Sequence, residues 1–145
     1  MRRLGFAIVL LLLAASGAFA AADEAALGAF ARKVGLADVD GFVAAMQAID
    51  RTGRLPQRYA SKAEAGKLGW KPGQDLCKAS PGRAIGGDRF MNRERQLPDR
   101  QNRIWREADL DYACGARGPK RLVYSNDGMR FVTVDHYKTF HEAPR

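Results

Sequence analysis

The apolar positions of this 145-residue chain change their spacing once, from helical to strand-like. Leu27, Phe30, Ala31 and Val34 recur at helical intervals in the Ala-rich stretch 23–35, which reads as a helix leading into Gly35. Phe42, Val43, Met46 and Ile49 then stripe one face of a second helix starting near Asp40, with Gly53 placed to close it as a C-terminal cap. Ser61-Lys62-Ala63-Glu64 has the form of a capping box, Ser61 as N-cap and Glu64 at the third helical position, and predicts a short helix ending near Gly69. After Gly82 the pattern gives way to β-prone runs at 85–90, 104–110, 122–124 and 131–134. Asn126-Asp127-Gly128 between the last two is a hairpin signal, so that pair is predicted antiparallel. Helices followed by consecutive strands predict an α+β domain, with N-terminal helices packed on one face of a C-terminal antiparallel β-sheet. Trp70, Ile85, Trp105, Leu110 and Phe131 are candidate core residues, and Gly86-Gly87 marks a bulge or a close backbone approach.

The first twenty residues stand outside this pattern. Arg2 and Arg3 precede an unbroken apolar run at 6–15, and Ala18-Phe19-Ala20 is a small-x-small cleavage site, the form of a secretory signal peptide. The run is shorter than the roughly 18 to 20 residues of a membrane-spanning helix. The expected organisation is a signal peptide at 1–20, an N-terminal extension at 21–38 that is either helical or processed, and the main domain at 39–145. A secreted protein, extracellular or periplasmic and without stable membrane association, follows from that reading.

Composition narrows the field further. With 46% apolar and 28% charged residues the chain has ordinary globular make-up, which argues against long disorder or a collagen-like rod. Its formal charge is +8, and removal of 1–20 takes two of the 24 basic residues and none of the 16 acidic ones, leaving +6. Such a balance favours a polyanionic partner: nucleic acid, an anionic surface or an acidic protein. The stretch 83–106 carries seven Arg and no Lys against three acids, a solvated basic face able to steer a polyanion. Cys77 and Cys114 are the only cysteines. In an oxidising compartment, with no CxxC or Cys/His cluster, they fit one disulfide better than a zinc site, two buried thiols being the alternative. A bridge over that span is worth about 4 kcal/mol in the chain-entropy picture.

The polar residues of the C-terminal third supply candidate chemistry. Glu107 lies in "WREADLDY", Arg117 and Arg121 in "GARGPKR", and His136-Tyr137 in "VDHY". A carboxylate, a histidine and two guanidinium groups are the set that phosphodiester cleavage needs: a base, an acid and stabilisers of an anionic transition state. Taken singly, each is more often a surface charge or a structural histidine.

Between positions 55 and 140, "LPQRYASKAEAGKLGW", "PGRAIGGDRFMNRE", "RIWREADLDY", "KRLVYSNDG" and "TVDHYKTF" together resemble the barnase-type secreted bacterial guanyl-preferring ribonucleases of the microbial ribonuclease family. The resemblance implies a metal-independent endoribonuclease, with no cofactor, that cuts single-stranded RNA after guanine. The route is attack by the 2'-OH to give a 2',3'-cyclic phosphate, followed by hydrolysis. It makes Glu107 the general base and His136 the general acid. Lys62, Arg117 and Arg121 become phosphate stabilisers, Tyr137 an active-site residue, and Asp109 the support that orients the two arginines. The family's base-binding loop falls on Phe90, Met91, Asn92, Arg93 and Glu94, where Met91 departs from the usual Ser and is expected to alter affinity or base preference. Glu94 would accept from the N1–H and amine of guanine. Arg103 and Asp127 are expected to form a structural ion pair. A monomer is implied, with a small acidic inhibitor protein as a further partner. The competing reading is a non-catalytic basic module on the same fold, binding RNA or an inhibitor.

Overall fold

The computed structural model describes residues 15–145, with side chains described from Glu24 onward. Of the signal peptide expected over 1–20, positions 1–14 lie outside the described residues, and the remainder runs into α1 (Ala15–Lys33). From Glu24 onward that helix is folded against the rest: Leu27 and Ala31 are buried, and the Phe30 ring lies 5.9 Å from that of Phe42 on α2 (Val39–Thr52). The apolar stripe of α2 is the reason it docks, since Phe42, Ala45, Met46 and Ile49 are all buried. Its ends are set locally. Asp38 accepts from the N–H of Gly41, and Gly53, at φ 70°, donates its N–H to Ile49 O.

Then follow β1 (Tyr59–Ala60), α3 (Lys62–Lys67), α4 (Leu76–Ala79), β2 (Ala84–Phe90), β3 (Trp105–Asp109), β4 (Arg121–Ser125), β5 (Arg130–Thr133) and β6 (His141–Glu142). The Ser61/Glu64 capping box forms as expected. The six strands lie in chain order in one sheet, antiparallel from β2 to β6. The sheet departs from the all-antiparallel expectation at one edge, where β1 pairs with β2 in parallel. A two-residue strand has no period to read, which is why the pattern did not show it.

Residues facing each other across β3, β4 and β5 alternate between two environments. Ala108, Leu122 and Val132 are in register and pack with α2. Glu107, Val123 and Phe131 are in register on the opposite face, where Trp105 and Val123 pack with Phe90, Tyr137 and Phe140. Trp70, Ile85, Trp105 and Leu110 are buried as expected, while Phe131 is half-buried. The ladder between β2 and β3 slips between Gly86 and Arg89. A Cβ on Gly86 would stand 2.6 Å from Tyr59 Cδ1, so glycine is needed there for the close approach of β1.

Candidate active site

Period-two alternation along β3 puts Trp105, Glu107 and Asp109 on the sheet face away from α2. One five-residue strand thus supplies a packing indole and two carboxylates one rung apart. Glu107 is 8% exposed, and its Oε2 accepts a hydrogen bond from Tyr137 Oη at 2.5 Å. Burial, and then the hydrogen bond and charge of Glu107, push the Tyr137 phenol up to about 12, so it remains a donor across the neutral range. His136 and Tyr137 both have left-handed backbone, φ 57° and 67°. Such angles are unfavourable for side chains with a Cβ, and the fold holds them through His136 N–H to Pro119 O and Tyr137 N–H to Thr133 Oγ1. The exposed His136 ring has its centroid 4.9 Å from that of Tyr137.

One rung along, Asp109 is 2% exposed and gathers two cations. Arg117 meets it with both Nε and Nη2, at 2.8 and 2.7 Å. Arg121, opposite Asp109 on β4, brings Nε to 3.1 Å without making a well-aligned hydrogen bond, while its Nη1 donates to Gly118 O and Lys120 O. Tyr59 Oη closes the cluster by donating to Asp109 O at 2.9 Å. Burial opposes the charge on Arg117, but Asp109 outweighs it, and the pKa of that guanidinium lies above its ordinary value. The cluster touches the Glu107 side through Arg121, whose guanidinium carbon lies 5.9 Å from the Tyr137 ring centroid.

Beside Glu107 opens a cleft of about 270 Å³. Its apolar walls are Phe90, stacked on Tyr137 at 5.3 Å between centroids, and Phe140, edge-on to Phe90 at 6.2 Å. The far wall is the loop after β2, including Met91, Asn92, Arg93 and Glu94. Asn92 is 5% exposed, and its side chain is spent on the loop itself. It donates to Leu97 O and Asp99 Oδ1 and accepts from Leu97 N–H. Its φ of 47° turns the chain there, so what Asn92 can offer a ligand is backbone. Met91 is 56% exposed.

Of the expected site residues, Phe90, Asn92, Arg93, Glu94, Glu107 and Tyr137 line this one cleft. Asp109, Arg117, Arg121 and His136 adjoin it through the contacts above. Lys62, at the start of α3, is exposed, and its backbone N–H donates to Asp88 Oδ2 on β2; neither residue lines the cleft. Sequence reasoning missed Tyr59, Phe140, Arg89 and Gln96, the last three of which line the cleft. The aromatic spacing of Phe140 from Tyr137 was a usable signal. Nothing local marked Tyr59, which reaches Asp109 from 50 residues away. The Cys77–Cys114 disulfide is present, as is the Arg103–Asp127 ion pair at 2.8 Å.

These features define a small α+β protein with an aromatic-walled, charged cleft on the face of its sheet opposite α2. The chain belongs to the ribonuclease family, whose profile matches residues 44–144, in keeping with the resemblance to barnase-type bacterial enzymes. Among curated relatives named Ribonuclease, that of Bacillus intermedius is 44% identical over 106 residues, covering 72% of this chain and 65% of the relative. The ribonuclease of Bacillus pumilus matches to the same extent. That of Heyndrickxia coagulans is 49% identical over 88 residues, covering 60% of this chain and 81% of the relative. The chain thus spans just under two thirds of the length of the Bacillus relatives.

Proposed function

We propose that the protein is a secreted, metal-independent endoribonuclease that cuts single-stranded RNA after guanine. The observation that carries this reading is the position of Glu107: a buried carboxylate beside a base-sized aromatic cleft, one rung from an arginine pair assembled on Asp109. Glu107 removes the 2'-OH proton of the bound nucleotide, the 2' oxygen attacks phosphorus in line, and His136 protonates the departing 5' oxygen. Hydrolysis of the 2',3'-cyclic phosphate runs the two roles in reverse. Tyr137 keeps Glu107 oriented through Oε2. Arg117 and Arg121, with Lys62, hold the phosphoryl oxygens as charge builds on them. Phe90 and Tyr137 stack the base, backbone groups of the Met91–Asn92–Arg93 segment contact its edge, and the Glu94 carboxylate accepts from guanine N1–H and its amine. The enzyme acts as a monomer, and its basic rim would also suit a small acidic inhibitor protein. DNA lacks the nucleophile and should bind without being cut.

The test is incubation with single-stranded RNA in EDTA, comparing wild type with Glu107→Ala and His136→Ala. Wild type should release fragments ending in guanosine 2',3'-cyclic phosphate, with a loss of about 10² or more in kcat for each variant. RNA binding with no cleavage would replace this reading with that of a binding module, and cleavage undiminished in both variants would displace the two roles.

A further inference from the structure

Arg117 sits on a loop, 110–120, that leaves β3 and returns as β4. The base of the loop is pinned by charge. Asp111 accepts from the N–H groups of Ala37 and Asp38 at 2.8 Å each, and Lys120 Nζ donates to Asp111 Oδ2 and Gly35 O at 2.7 Å each. Its far end is fastened by one covalent bond. Cys114, at φ 73°, is joined to Cys77 on α4 with a Cα–Cα distance of 5.4 Å. Around that bond Asp75 Oδ1 accepts from the N–H of Gly115 at 2.9 Å and of Cys77 at 3.0 Å, and Tyr112 Oη donates to Gly115 O at 2.7 Å. The stretch between, Ala113-Cys114-Gly115-Ala116-Arg117-Gly118-Pro119, holds two glycines with nothing packed where a Cβ would be. Beyond this fastening, Arg117 grips Asp109, Gly118 O accepts from Arg121 Nη1 and Pro119 O accepts from the His136 N–H, so between Gly115 and Gly118 the chain is held through the Arg117 side chain. Arg121 differs, because the β4 ladder fixes its backbone.

We propose that the Cys77–Cys114 disulfide is a positioning bond for Arg117, so that the rate of phosphoryl transfer, and not stability alone, depends on its oxidation. This rests on the phosphate-stabilising role proposed for Arg117. With the covalent tie to α4 opened, only the hydrogen bonds of Asp75 and Tyr112 hold the loop there; a glycine-bearing loop so loosened gains conformations, and the guanidinium spends less time in the one geometry that meets the transition state. The Cys114 side is exposed to a reductant. A dithiol gives two electrons and two protons to the S–S bond, leaving two protein thiols and becoming a disulfide itself. The enzyme would therefore be slow in a reducing compartment and gain rate where the bond forms.

Four proteins test this: wild type, Cys77→Ser/Cys114→Ser, Arg117→Ala, and the triple variant, assayed on a guanylyl dinucleotide with thermal melts alongside. Opening the bond should lower kcat about tenfold and move KM by less than about twofold in the wild-type background. In the Arg117→Ala background it should change kcat by less than about twofold, while the melting temperature falls in both. Equal losses of kcat in the two backgrounds, or no loss in either, overturn the proposal. Should the serine variants fail to fold, the same comparison is made on wild type and Arg117→Ala reduced with dithiothreitol and checked by circular dichroism. Absence of cleavage by the oxidised enzyme overturns the enzyme reading with it, whereas cleavage indifferent to the bond overturns this inference alone.

Discussion

The loop that walls the cleft and the charge cluster that adjoins it, the two sides of the site, are held by opposite kinds of bonding. The loop after β2 is pinned by a neutral amide, Asn92, whose donor and acceptor are both matched by groups of the same loop. The charged side is pinned by a buried carboxylate, Asp109, between two guanidinium groups. Cutting at a neutral amide costs only its own bonds, since its one charged partner, Asp99, is exposed to water. A buried charge cluster costs more, because the partners left behind are ions without a counter-charge. The loop side should therefore tolerate change at exposed positions such as Met91 while its shape persists, and the charged side has no equivalent freedom at Asp109.

The largest expected effect follows from breaking the charged side. Asp109→Ala should destabilise the fold by about 3–5 kcal/mol and abolish measurable cleavage, since Arg117 and Arg121 lose their common support. Urea denaturation with a parallel cleavage assay checks it, and a loss under 1 kcal/mol would show that the cluster is not the keystone of that side. Asn92→Ala should cost less, about 2–3 kcal/mol for three hydrogen bonds and an alanine at φ 47°. Its kinetic signature should be a raised KM with kcat within a few-fold, because the Glu107–Tyr137 pair is untouched. A fall in kcat at unchanged KM would mean the two sides are not separable.

The contrast also explains what was legible beforehand. Gly53, the Ser61/Glu64 box and the Asn126-Asp127-Gly128 turn are each decided by neighbours in sequence, and each formed where it was read. The β-prone run at 104–110 became β3, and the period of that strand puts Glu107 and Asp109 on one face, a consequence the sequence reading had not drawn. What lay hidden depended on distant partners: the parallel strand β1, the reach of Tyr59 to Asp109, and the docking of α1 through Leu27 and Ala31. Asn92 was placed correctly in the loop, but its side chain serves loop shape, because only the closed structure brings Leu97 and Asp99 within its reach.

Acid should weaken the turns that flank the site in a narrow window. Arg103 and the Ser125 hydroxyl hold Asp127 down at about 2, while the Thr139 hydroxyl and N–H do the same for Asp135 in the turn carrying His136 and Tyr137. In the unfolded chain both titrate near the usual value of about 3.9. The folded state binds fewer protons there, so their stabilisation is complete above about pH 4–5 and is lost as pH falls toward 2. Melting temperature followed from pH 6 downward should drop across that interval, and Asp127→Asn should make the drop shallower. An unchanged acid slope in that variant would remove Asp127 from the account.

The smallest effect should come from Met91→Ser, and it sharpens the comparison most. Met91 is 56% exposed at the cleft mouth, on a loop whose shape Asn92 sets from beneath. Its removal should change stability by no more than about 0.5 kcal/mol, the usual range for an exposed position. A thioether side chain against a stacked base adds apolar contact that any base can use, whereas a hydroxyl adds none. The serine variant should then bind guanylyl and adenylyl dinucleotides more weakly, by similar factors, with the ratio of their kcat/KM values altered less than about threefold. A much larger shift in that ratio would show that the exposed residue, and not the buried frame with Glu94, sets the choice of base.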